Sequence, residues 1–178
     1  MTNVISIPDD QVQTMVLNGL TDVFTTMLQG EIKLVSCKSL MDVAEGTAPL
    51  VGVEETLVVG NVGFAGAISG MVYIAMPESL AKEITGSMLG MDEDELEGEH
   101  EMINDAIGEI TNMSAGAYKN QMSDLGYSCR LTIPSIIRGK YFVVEAAKAA
   151  FRQLYLFNYL GQPLSLELIM KMNDTFTD

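Results

Sequence analysis

Apolar residues along this chain repeat with two different periods, and the changes between them mark out the elements. Val12, Met15, Val16, Leu20, Val23, Met27 and Leu28 recur at helical spacing, as one buried face of an α-helix requires. Asp9 or Asp10 caps that helix, which runs to about Gln29, where Gly30 stops it. Short strands are predicted at residues 32–36 and near residues 50–53. Residues 56–77 then form a stretch of 22 without a charge, long enough to span a bilayer. Gly66 and Gly70 even fit a small-xxx-small pairing motif. Against a span stand Gly60, Asn61, Gly63 and Ser69, which interrupt the stretch, and flanks of Glu54, Glu55 and Glu78 with no basic collar or Trp. A buried β-hairpin fits better. Its arms are residues 56–62 and 67–75, with the glycine-rich turn supplying unusual backbone angles. The same glycines make no GxGxxG fingerprint.

Pro77 and Glu78 open a second helix that ends at Gly86 or Gly90. Residues 92–101 hold seven acids in ten positions and read as a solvated loop or a frayed helix start. A long helix follows over residues 97–125, terminated by Gly126. Strands are then predicted at 127–133 and 141–146, followed by a hairpin of 153–159 and 165–172 around Leu160, Gly161, Gln162 and Pro163. In the last strand Leu164, Leu166, Leu168, Met170 and Met172 alternate with Ser165, Glu167, Ile169 and Lys171, so one face is buried. Helix followed by paired strands thus occurs twice. The pattern predicts an α+β fold of duplicated helix-plus-antiparallel-strand units, with long helices packed on a β-sheet. It forms one domain over 1–178, with approximate halves 9–90 and 97–173.

Composition narrows the function. The chain has 178 residues, 48% hydrophobic and 19% charged, with a formal charge of −14. It is globular rather than a disordered acidic tail, and large enough for a sizeable core. Between Glu83 and Tyr118 lie ten acids and no Lys or Arg, so this window alone carries −10. Such a surface argues against nucleic acid or anionic lipid as a partner, since both need Lys/Arg footprints. Cys37 and Cys129 are far apart and, with one His, offer neither a disulfide framework nor a structural zinc site. The start lacks the basic and apolar regions of a secretory signal, so a cytoplasmic location is expected. The thirteen Met residues read mostly as core filler.

The long helix carries the candidate chemistry. On a wheel of ~100° per residue, Ile103, Ala106, Ile107, Ile110, Met113, Ala117 and Gln121 fall in an arc of roughly 120°. Glu101, Asp105, Glu109, Asn112 and Gly116 fall on the opposite side. An exposed Glu is ordinary. Asn inside a helix is less so, and Gly108 and Gly116 beside the stripe each cost up to ~1 kcal/mol relative to Ala. Glycines there let another backbone approach closely, which makes the stripe a docking surface. Glu109 and Asn112, at i and i+3, share one edge, so a partner can touch both. A primary amide both donates and accepts hydrogen bonds and can hold a water in line for attack on phosphorus. The carboxylate one turn away can pair with a Lys on the partner. Asp92 and Asp94 lack the further ligands of an EF-hand, and His100, within the acidic run, reads as a solvated residue.

Asp105-x3-Glu109-x2-Asn112, with Pro134 downstream, resembles the signature of the CheC/CheX/FliY family of response-regulator phosphatases. Residues 63–73, Gly-Phe-Ala-Gly-Ala-Ile-Ser-Gly-Met-Val-Tyr, resemble that family's glycine-rich strand pair. The first helix has no Glu-x-x-Asn, since Asn18 is preceded three residues earlier by Met15. One motif makes the chain most similar to CheX-like members. The resemblance implies hydrolysis of the phosphoaspartate of a CheY-type response regulator, with chemotaxis as the pathway. Glu109 would pair with the receiver lysine and Asn112 would orient the hydrolytic water. Asp105, Gly108, Gly116 and Pro134 would help to seat the partner. The resemblance also implies a homodimer extended through a sheet edge. No cofactor is implied in this chain, because the Mg2+ would belong to the receiver domain. The alternative is a non-enzymatic receiver-binding module, as in flagellar switch components. Pro134 also has a plainer reading, the end of an edge strand.

Overall fold

A computed structural model describes residues 7–41, 54–142, 144 and 151–173. The elements are α1 (Asp9–Leu28), β1 (Lys33–Ser39), β2 (Leu57–Gly66), β3 (Ile68–Pro77) and α2 (Glu78–Leu89), then a 3-10 helix (Glu93–Leu96) and α3 (His100–Asp124). β4 (Cys129–Leu131), β5 (Ser135–Gly139), β6 (Phe151–Tyr159) and β7 (Gln162–Met172) complete the described chain. Seven antiparallel strands form one sheet in the order β1-β6-β7-β3-β2-β4, with β5 also paired to β2. That order reads the same from either edge when β1, β2 and β3 are exchanged for β4/β5, β6 and β7. The three helices pack on one face, and α3 touches α1, α2 and the central strands.

The uncharged stretch is the β2–β3 hairpin, two central strands whose partners cover them on both sides. No helix among the described residues is long and apolar enough to cross a membrane. The arms run further than the apolar pattern indicated and leave only Ala67 between them. Gly60, Gly63 and Gly66 lie inside β2, and neither they nor Gly70 has a positive φ. Unusual backbone angles are therefore not their purpose. A Cβ on Gly60 would stand 2.0 Å from Thr111 Oγ1 of α3, and one on Gly70 would stand 2.0 Å from the Ile169 carbonyl. The glycines let a helix and a neighbouring strand press against the backbone.

Other boundaries moved for local reasons. Gln29, not Gly30, takes the left-handed cap of α1 at φ 51°. Gly30 instead makes room for Tyr159, whose hydroxyl would lie 2.3 Å from an added Cβ. Gly90 and Gly126 do end α2 and α3 with positive φ. The acidic run is ordered: Asp92 and Glu95 form a capping box around the 3-10 helix and Leu96 is fully buried, so α3 starts only at His100. The strand expected at 127–133 is shorter, and β5 at 135–139 was not expected. Tyr141 and Phe142 are not in a strand, Val144 is not either, and the rest of 141–146 lies outside the described residues, as does 50–53. The last hairpin turns on two residues, Leu160 and Gly161, both with positive φ, as a twisted two-residue loop needs. Its second strand therefore begins at Gln162. Ser165 and Glu167, expected to face outward, are 0% and 1% exposed. This half of β7 is buried on both faces, which alternation alone does not reveal.

Candidate functional site

α3 is held from three sides. Ile103, Ile107 and Ile110 are fully buried in the core, each contributing ~1.5–3 kcal/mol by its removal from water. Thr111 sits over Gly60 and gives its hydroxyl to the Ile107 carbonyl at 2.7 Å. Tyr118 donates to Met170 Sδ at 3.1 Å, and its burial raises its pKa. On the α1 side Gly19 meets Ala117 and Ser114, and Gln121 Nε2 donates to the Met15 carbonyl at 3.0 Å. Thr111, Ser114, Ala115, Tyr118 and Met122 are buried besides the expected positions, so the packed face is wider than one apolar arc. A helix anchored this broadly is a rigid support for whatever its remaining edge presents.

That edge carries the predicted residues. Asp105 and Glu109 are exposed, while Asn112 and Gly116 are half-buried. None of the three polar side chains has a hydrogen-bond or ion-pair partner among the described residues. The two glycines differ from those of the sheet. A Cβ on Gly108 or Gly116 would meet nothing within 4 Å, so internal packing gives no reason for glycine there. Pro134 is not on α3 but in the break between β4 and β5, two short edge strands that pair with β2 and also touch α3. There the Thr132 hydroxyl accepts from Gly63 N–H at 2.9 Å in place of a ladder carbonyl. A proline in such a break costs no ladder bond.

Two features of the site escaped the sequence reading. A groove between the end of α2 and the first half of α3 is lined by Met88, Leu89, Met91, Met102 and Ala106 with Asp105 and Glu109. Met102 is exposed here rather than filling the core, while Met88 also packs against the core. The second is a cross-brace in which Arg138 of β5 bonds Glu78 at the start of α2 and Asn104 of α3, the latter at 2.9 Å. His100 Nδ1 lies 3.7 Å from the same Glu78 carboxylate, its side chain 59% exposed. Residues on three elements, α2, α3 and β5, converge here, which local pattern could not indicate. At the approach to α3, Lys82 bonds Glu97 at 2.5 Å, lowering the pKa of Glu97 and raising that of Lys82. Glu97 is 78% exposed and Lys82 only half-buried, so solvent screens the pair and it adds little stability. Remote from the stripe, burial raises the carboxyl pKa of Glu167 despite the Arg152 guanidinium 2.6 Å away.

Among the described residues no group of His, Cys, Asp or Glu could hold a metal ion, and both cysteines are free thiols. The arrangement offers a carboxylate and an amide one turn apart on a rigid edge, open to a partner and flanked by an apolar groove.

Comparison with known proteins agrees with this architecture. The profile of the family described as chemotaxis phosphatase CheX matches residues 58–157. A curated relative, the CheY-P phosphatase CheX of Thermotoga maritima, is 31% identical over 86 residues, which are 48% of this chain and 54% of that protein. The matched stretch spans about half the length of that relative. Chemotaxis protein CheX from Vibrio vulnificus is 26% identical with a TM-score of 0.72, over 90% of this chain and 99% of that one. The chain is also similar in fold to the CheX–CheY–BeF3–Mg2+ complex from Borrelia burgdorferi, with 19% identity and a TM-score of 0.67 over 90% and 97% of the two chains.

Proposed function

The chain belongs to the CheX family of chemotaxis phosphatases, and from that premise we propose that it hydrolyses the phosphoaspartate of a CheY-type response regulator. The observation that carries this reading is the Glu109–Asn112 edge, unpartnered among the described residues and mounted on a helix that packs against α1, α2 and the sheet. Glu109 pairs with the receiver's active-site lysine and fixes the register of docking. Asn112 enters beside the acyl phosphate, where its amide accepts from and orients a water. The water oxygen attacks phosphorus, the bond from phosphorus to the aspartyl oxygen breaks, and its electrons return to the carboxylate. The water's protons leave with the phosphate and solvent. The Mg2+ such a step uses is held by the receiver domain. A CheX–CheY complex among the structural neighbours supports CheY as the kind of partner.

Gly108 and Gly116 give clearance for the receiver's loops, and Asp105 extends the acidic edge. A homodimer through the β4/β5 edge also belongs to this reading, supported by Ile133 and Ile137 at 89% and 42% exposure on that edge. Light scattering that found only a 19.3 kDa species would remove the dimer and leave the chemistry untouched. The cytoplasm, where receiver domains act, is the location this reading requires.

The test is the decay of a phosphorylated receiver with and without the protein. The intact chain accelerates it, Asn112→Ala removes about a hundredfold of that acceleration, and Glu109→Ala removes about tenfold. Binding to the phosphorylated receiver without any acceleration of decay would make the chain a binding module instead.

A further inference from the structure

The groove beside Glu109 has no role in the chemistry just described. Resting on that receiver-phosphatase reading, we propose that it is the specificity surface for the receiver, taking an apolar side chain that the receiver presents next to its active-site lysine.

Its position makes the two contacts one event. Met102, Asp105, Ala106 and Glu109 follow one another along the same edge of α3, as residues three and four apart must. A partner that reaches Glu109 therefore also covers Met102. The opposite wall is fixed in shape. Gly90, at φ 69°, turns the chain at the end of α2, and the N–H groups of Gly90 and Met91 both donate to the Gly86 carbonyl, at 2.8 and 3.1 Å. A Cβ on Gly86 would lie 2.6 Å from the Met91 carbonyl oxygen, so the turn closes this tightly only over glycine. The turn leaves Leu89 51% exposed, facing a Met102 that is 40% exposed. Unbranched methionines around a leucine form a surface that adapts to the side chain placed on it.

Charge selects the occupant. The groove lies inside the window that carries ten acids and no Lys or Arg. A second copy of this chain would bring the same negative field against it, and an anionic lipid surface or a nucleic acid would be repelled likewise. A protein surface that pairs an apolar side chain with a lysine complements both the groove and its rim.

The experiment measures affinity for the CheY-type receiver of the same genome, loaded with BeF3− and Mg2+, alongside decay of the phosphorylated form. Leu89→Ser combined with Met102→Ser weakens binding about tenfold and raises KM by the same factor while kcat holds within about twofold. Met102→Ala, which keeps helix propensity, gives a smaller part of the same loss. Met27→Ser, an equally exposed methionine on α1, changes neither quantity. An unchanged affinity in the double variant would overturn the groove as a docking surface even if Asn112→Ala still abolished turnover. If the intact chain binds but does not accelerate decay, the phosphatase reading fails while the affinity comparison still decides the groove. A chain that binds no receiver overturns both.

Discussion

α1 and α3 occupy corresponding places over a sheet whose strand order reads the same from both edges, yet they use their outward faces differently. α1 shows solvent Thr14, Asn18, Thr21, Asp22, Thr25 and Thr26, mostly uncharged and small. α3 shows Met102, Asp105, Glu109 and Asn112. The glycines divide in the same way. Gly19 of α1 faces inward, where an added Cβ would stand 3.2 Å from Ala117, so it serves the contact between the helices. Gly108 and Gly116 of α3 face open space. One helix spends its glycine on the fold, whereas internal packing gives no reason for the glycines of the other. Equivalent positions in an architecture therefore do not imply equivalent work.

The sharpest way to break this comparison is to truncate an exposed or half-exposed asparagine on each helix. Asn112→Ala should remove about a hundredfold of the acceleration of receiver decay, whereas Asn18→Ala should remove none. Equal losses, measured by following phosphoreceiver decay, would mean that both faces meet the receiver and that the lack of a Glu-x-x-Asn motif on α1 carries no weight.

The glycines give a smaller effect with opposite signs. At Gly108 the space is empty and the residue is helical, so Gly108→Ala should raise folding stability by up to ~1 kcal/mol. The same variant should slow receiver dephosphorylation, because the new methyl group lies where the partner's backbone would approach. Gly19→Ala gains the same propensity but presses its Cβ on Ala117 and the Ser114 carbonyl. It should lose about 1 kcal/mol overall while leaving the activity of the folded protein unchanged. Urea melts with decay assays on both variants check the pair. Stabilisation without loss of activity in Gly108→Ala would end the argument that α3 reserves its edge for a partner.

Periodicity made the three helices, the central hairpin and the final hairpin legible, because each buries a regular apolar stripe. It failed where a segment is buried on both faces or held by a single long-range contact. Glu167 alternates as an outward residue should, but Arg152 from β6 meets it and the sheet is covered there. β5 carries Ser135 and Arg138 and has no strong pattern of its own; it exists because β2 offers a register from Leu57 to Asn61. The proposed pair, Glu109 and Asn112, could be read because it lies within one helix, three residues apart. The groove could not, since it joins the end of α2 to α3 across a turn shaped by Gly86 and Gly90, and Met102 looks no different in sequence from buried Met122.

The smallest contrast between the helices is electrostatic, and it acts on rate rather than on the bound state. α1 brings three acids, Asp9, Asp10 and Asp22, whereas the approach to α3 and its first half lie in the window of −10. Seven of those acids precede Met102 on the 3-10 helix, its flanks and the first turn of α3, so the field is strongest along the approach to the edge where the lysine of a receiver would pair with Glu109. Raising ionic strength from about 0.01 M to about 0.15 M shortens the Debye length from about 30 to about 8 Å. Association should then slow by up to about tenfold, with the dissociation rate changing much less. Replacing Glu93, Asp94 and Glu95 by glutamine should flatten that salt dependence, while Asp9→Asn with Asp10→Asn on α1 should leave it steep. Stopped-flow association across a salt series separates the two. An on-rate indifferent to salt in the intact chain would reduce the acidic approach to solubilising surface and leave docking to the groove and the Glu109–Asn112 edge.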